Sequence, residues 1–154
     1  MGEHNMAKFI YKMQNILDIK NKLETQEKTA FAIAVHKLRT EEERLSRIEK
    51  DIFEYEELIR QQNDGLLNLQ EWKRCNEALR YKKDEEKSQI QRIKHQEKNV
   101  DIARGRLNKV MQERKTQEIL KEKAFEEFVH ELNEGEKKEV DELVSFTYNN
   151  PEDR

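Results

Sequence analysis

Apolar residues in this chain return at intervals of three and four over most of its length. Leu38, Leu45, Ile52 and Ile59 recur every seven residues, with Ile48 and Tyr55 at the offsets between them. That is the a/d ladder of a coiled coil, in which each helix shows a partner one narrow apolar seam. Ahead of it, Phe9, Met13, Ile16, Leu17 and Leu23 form a broader stripe at helical spacing. A second periodic stretch runs from about Trp72 to about Val144 and includes Leu79, Ile93, Val100, Leu107, Phe125 and Phe128. Between the two lies Gln61–Gln70, whose Asn63-Asp64-Gly65 is the strongest turn signal in the chain. Glycine takes positive φ freely, and asparagine and aspartate tolerate it. The pattern predicts an all-α fold: one long two-stranded antiparallel coiled-coil hairpin. Its segments are an extension over 1–8, a first helix over 9–60, a turn over 61–71, a second helix over 72–145 and a tail over 146–154. An arm of 50 residues at 1.5 Å rise would span about 75 Å. Setting Leu45 against about Ile93 would bring Ile10 and Met13 near Phe125 and Phe128.

Parts of the ladder are poor zipper. Lys20, Glu24, Glu27 and Glu41 occupy or adjoin seam positions, and Arg114 to Glu118 (RKTQE) is polar where the second helix should be apolar. The first arm's open end is therefore expected to be weak. Ala30 and Ala34 would let the backbones approach closely. Phe31, Ile33, Val35 and Leu38 are apolar more than halfway round the helix, which implies either an extra contact or a change of seam. Thr40 to Glu43 mimics a capping box but sits among continuing heptads and reads as helix surface. Gly105 falls inside the second helix, where glycine costs about 1 kcal/mol against alanine and marks a possible bend.

Composition agrees with a seam rather than a layered core. Of 154 residues, 41% are charged and 34% hydrophobic, with one proline and four glycines. No run of 18 apolar residues is present, so no membrane span is expected, and a cytoplasmic setting follows from the lack of a signal-peptide core. Cys75 is the single cysteine, read as a small, partly buried packing residue. Charge is uneven along the chain. Residues 73–115 carry 14 basic and seven acidic side chains, whereas residues 116–154 carry five and 12.

Chemistry is sparse. Glu127 and His130 make one Glu-x-x-His spacing, but a di-iron bundle needs two such motifs and two further glutamates, and His36 and His95 lack the preceding Glu. Neither a phosphate-binding glycine loop nor a supported nucleophile–His pair occurs. No catalytic residue, metal site or cofactor is therefore assigned, and the chain is not expected to be an enzyme. Nucleic acid is not expected as a partner, because Asp84, Glu85, Glu86, Glu97 and Asp101 interrupt the basic stretch 80–115 and would repel phosphates.

The opening Phe9-Ile-Tyr-Lys-Met-Gln-Asn-Ile-Leu-Asp-Ile-Lys20, with Glu24 following, resembles the start of the FliJ family of the bacterial flagellar type III export apparatus. The length, the turn after about 60 residues and the closing Asp141 to Leu143 resemble that family too, over about Met6 to Tyr148. The resemblance implies a coiled-coil hairpin similar to the central stalk of rotary ATP synthases. It implies insertion into the hexameric ring of the flagellar export ATPase, promotion of ring assembly, a link to the cytoplasmic part of the membrane export gate, and handling of export chaperones. It also implies a place at the cytoplasmic face of the inner membrane without insertion. On this reading Phe9, Met13, Ile16, Leu17, Phe125 and Phe128 would bind the ATPase ring, or simply staple the arms together. Tyr55, Ile59, Trp72 and Leu79, near the tip, would bind the gate, or simply close the loop. The competing reading is a free-standing helical-hairpin chaperone or spacer with no ATPase partner, and the stalk of virulence-type secretion systems is a near neighbour of the first.

Overall fold

A computed structural model describes residues 8–63, 68–132, 135–136, 138–139 and 141–143. The chain is an all-α helical hairpin of two helices packed against each other, α1 (Gln14–Asn63) and α2 (Leu69–Glu131). The turn residues 64–67, with the expected Asp64 and Gly65, lie outside the described residues, as do the extension 1–7, Pro151 and the tail. The chain divides into two compact units, 1–25 with 109–154, and 26–108.

Burial along both helices follows an unbroken heptad. On α1 the a positions run Leu17, Glu24, Phe31, Leu38, Leu45, Ile52, Ile59, and the d positions run Lys20, Glu27, Ala34, Glu41, Ile48, Tyr55, Gln62; all are buried or half-buried. On α2 the a positions run from Trp72 and Leu79 through Ile93 and Val100 to Phe128, and the d positions from Cys75 through Gln89 to Ala124, with the same result. The broad apolar run at 31–38 therefore involves no change of seam. Phe31 and Leu38 sit on it, Ile33 is 51% exposed, and the Arg104 guanidinium lies 5.7 Å from the Phe31 ring centre as a cation–π contact. Of the two small residues, Ala34 is on the seam and Ala30 is exposed.

The second unit, 26–108, is pinned by polar bonds as much as by apolar contact. Gln89, 3% exposed, donates its amide to the Glu41 carbonyl (2.8 Å) and to the Glu41 carboxylate (2.5 Å). Gln96 donates to the carbonyl of Ala34 (3.0 Å), reachable because alanine leaves that backbone open. These bonds set Leu38 level with Ile93 and Leu45 level with about Glu86. The expected Leu45–Ile93 pairing is thus off by one heptad. A one-heptad slip keeps every a and d position on the seam, so apolar spacing cannot discriminate; the glutamine bonds can.

Helix ends also differ from expectation, by physical causes that can be named. The segment Lys8–Met13 is not helical, and α1 begins at Gln14, not at residue 9. The Gln14 amide bonds to the Tyr11 carbonyl (3.1 Å), those of Ile16 and Leu17 to that of Met13 (3.0 and 3.1 Å), and no acidic side chain supports the first turn. What holds this segment is tertiary: Tyr11 donates its hydroxyl to Gln117 Oε1 (2.9 Å). At the other helix, Asn68 is an N-cap. Its side chain accepts the Gln70 amide (3.2 Å), its carbonyl accepts that of Trp72 (3.1 Å), and Glu71 adds a favourable charge at the positive end. Asn68-x-x-Glu71 is itself a capping signal, which places the start at 69 instead of 72. α2 stops at Glu131, short of 145, and residues 135–136, 138–139 and 141–143 are again helical. The stop falls just past Phe128, the last a-position residue to meet a partner from the opposite segment. Gly105 is exposed within an uninterrupted α2, with nothing within 4 Å of where a Cβ would sit.

Candidate functional site

In the first unit the aromatic cluster assembles as expected, though by Phe9 in place of Ile10 and Met13. The Phe9 ring meets Phe125 edge-on at 5.2 Å and Phe128 at 5.5 Å, tilted by 48°. Such pairs are attractive beyond their buried area. Leu17 is 5% exposed. Four of the six residues assigned to ring binding, Phe9, Leu17, Phe125 and Phe128, therefore hold the two segments together. Met13 (45% exposed) and Ile16 (41%) face outward. They have company: Ile10, Ile19, Ile119 and Leu120 are also exposed. For Ile19, Ile119 and Leu120 the signal lay in apolar residues off the seam, at positions where a two-stranded coil normally carries charge. Ile16 and Leu120 both occupy the position just before an a residue, so they line one flank of the pair.

The polar seam residues of the same unit answer one another across it. Lys20 Nζ is 2.7 Å from Glu113 Oε2, and Glu24, buried, is ion-paired to the Nε of Arg114. Arg114 also grips both oxygens of Glu118 at 2.9 Å. The hydrogen bond from Lys20 holds the Glu113 carboxyl below its ordinary range. Arg114 is raised, first by the bond to Glu118, with Glu24 adding to it. The weak stretch of α1 and the polar stretch of α2 thus form one layer of opposed charges. A partly buried pair of this kind specifies pairing more than it stabilises it.

In the second unit Tyr55, Ile59, Trp72 and Leu79 are all seam residues and all half-buried. Ile59 and Trp72 are level with each other in the register, one heptad from Ile52 and Leu79. Two helices cannot cover a tryptophan, so part of this surface stays open. Phe53 (62% exposed), Leu58 and Leu69 add uncovered apolar surface nearby in sequence. Cys75 is half-buried at a d position. Among the described residues no group of His, Cys, Asp and Glu could hold a metal ion, and no helix is long and apolar enough to cross a membrane.

The fold and these surfaces define a paired-helix coiled-coil protein. A family model described as flagellar FliJ protein matches residues 9–153. The chain belongs to the FliJ family, a non-enzymatic component of the flagellar protein export apparatus. No curated protein and no solved structure matches.

Proposed function

We propose that this chain works as the stalk of the flagellar export ATPase. The first unit binds the centre of the hexameric ring and promotes its assembly and activity. The second unit couples the ring to the cytoplasmic domain of the export gate, and the protein escorts export chaperones at the cytoplasmic face of the inner membrane. The observation that carries the reading is the apolar surface of the first unit at Met13, Ile16, Ile19, Ile119 and Leu120, which the α1–α2 seam leaves uncovered. Uncovered apolar side chains of this kind are what a partner protein can cover. The ring-facing residues are then Met13 and Ile16, with Phe9, Leu17, Phe125 and Phe128 holding the unit in shape beneath them. On the gate side, Tyr55, Ile59, Trp72 and Leu79 supply half-buried aromatic and aliphatic anchors of the sort that dominate interface energetics.

Two surface variants separate the roles. Ile16→Ser/Leu120→Ser should lose co-sedimentation with the export ATPase while keeping capture by the gate's cytoplasmic domain. Trp72→Ala should do the reverse. Retention of both partners by both variants would refute the assignment, and binding of neither partner by the parent chain, together with holding of unfolded clients, would favour a free-standing chaperone.

A further inference from the structure

Along one side of the second unit a groove opens between the helices. Its floor is Ile48 and Gln89, both buried, and its walls include Arg44, Arg47, Tyr81 and Arg92. The charges in it are unequally answered. Asp51 and Glu85 are bridged by one cation, Lys82 Nζ, at 3.2 and 3.3 Å. Among the described residues Arg44 reaches only the Glu41 carboxylate, at 3.7 Å, and the other oxygen of that group already takes the Gln89 amide. Arg47 and Arg92 make no ion pair among the described residues. Arg44 and Arg92 each precede an a position, the flank where coiled coils set opposite charges against each other. Here two guanidinium groups share it.

We propose that Arg44, Arg47 and Arg92 form a carboxylate-reading site that takes an acidic helix of a protein partner, laid along the groove as a third helix. The assignment is independent of the ring and gate surfaces above. Guanidinium forks match carboxylates bidentately, which gives the arginines a geometry for Glu or Asp side chains. The groove between two helices is the shape into which the ridge of a third packs. Tyr81, 69% exposed, stands beside it as an aromatic surface for the partner's apolar positions. Asp51, Asp84 and Glu85 share the lining. A continuous polyanion or lipid headgroup layer would press phosphates onto these carboxylates, whereas a helix can present its acids only where the arginines lie.

The test uses the full chain and a labelled alanine-based helical peptide with glutamates at heptad spacing, read by fluorescence anisotropy, with the glutamine counterpart as control. The glutamate peptide should bind and the glutamine peptide should not. Arg44→Gln/Arg92→Gln should weaken binding about tenfold or more. Arg47→Gln alone should weaken it about threefold, a second reading should the double variant lose helicity. Arg74→Gln/Arg106→Gln, an equal loss of charge elsewhere on the unit, should stay within about twofold. Equal loss in the two double variants would reduce the site to diffuse attraction and overturn the proposal. So would absence of peptide binding, or tighter binding of duplex DNA or phosphatidylserine vesicles through the same arginines.

Discussion

The amide of Gln89 bonds to the backbone carbonyl of Glu41 at 2.8 Å from a side chain that is 3% exposed. A polar residue at a seam position costs stability and fixes which residues lie opposite each other. Gln89→Leu is therefore expected to stabilise the protein by about 1 kcal/mol and to loosen its register. In a Cys75→Ala background, spin labels at Glu43 and Gln91 should give one distance in the parent. The leucine variant should show a second population at a different distance, because a one-heptad slip slides the helices past each other by about 10 Å along the axis. A single unchanged distance would remove Gln89 from the register account.

The same residue shows what could be read from the sequence and what could not. The heptads from Leu38 to Ile59 predicted the helical hairpin because burial along a two-stranded coil has one period and nothing else on offer. Register was a different matter. Leu45 fits Ile93 and Glu86 equally well by spacing, and the choice rests on two glutamine bonds to backbone carbonyls that no spacing rule reveals. The start of α1 was misplaced because Phe9 to Met13 has helical periodicity, yet tertiary contacts of Phe9 and Tyr11 hold it out of the helix. In the candidate site, the aromatic cluster was legible, but the exposure of Ile119 and Leu120 was not. Their meaning depends on which side of α2 is left uncovered.

The open end of α1, expected to be weak, is tied by charge, and that tie is acid-sensitive. Glu113 is held below its ordinary range, chiefly by Lys20. A depressed carboxyl contributes stability that is present above its unfolded value and lost as pH falls through its folded value. Protection of the amides of residues 14–24, taken relative to their intrinsic exchange rates at each pH, should therefore fall on acidification below the usual carboxylate range. Glu113→Gln should flatten that response, and an unchanged acid profile would separate the ion pair from stability.

Asn68 caps α2 through its side-chain oxygen. Asn68→Ala should cost about 1 kcal/mol, and Asn68→Asp should retain most of the stability. Equilibrium urea unfolding measures both, and an alanine variant as stable as the parent would mean the cap is idle.

Gly105 lies on the exposed face of α2 with open space where a side chain would begin. Gly105→Ala should therefore stabilise the protein by about 0.5–1 kcal/mol through helix propensity and a less flexible unfolded chain. A fall in the thermal midpoint would contradict this account of the position.

The stalk reading stands or falls on the hydrolysis rate of the cognate export ATPase, titrated with this chain. It predicts stimulation that saturates near one hairpin per six ATPase subunits, with a parallel rise in assembled rings. Ile16→Ser/Leu120→Ser should abolish it without loss of helicity. No stimulation at any ratio, or saturation only at one hairpin per subunit, would contradict a single stalk at the centre of the ring.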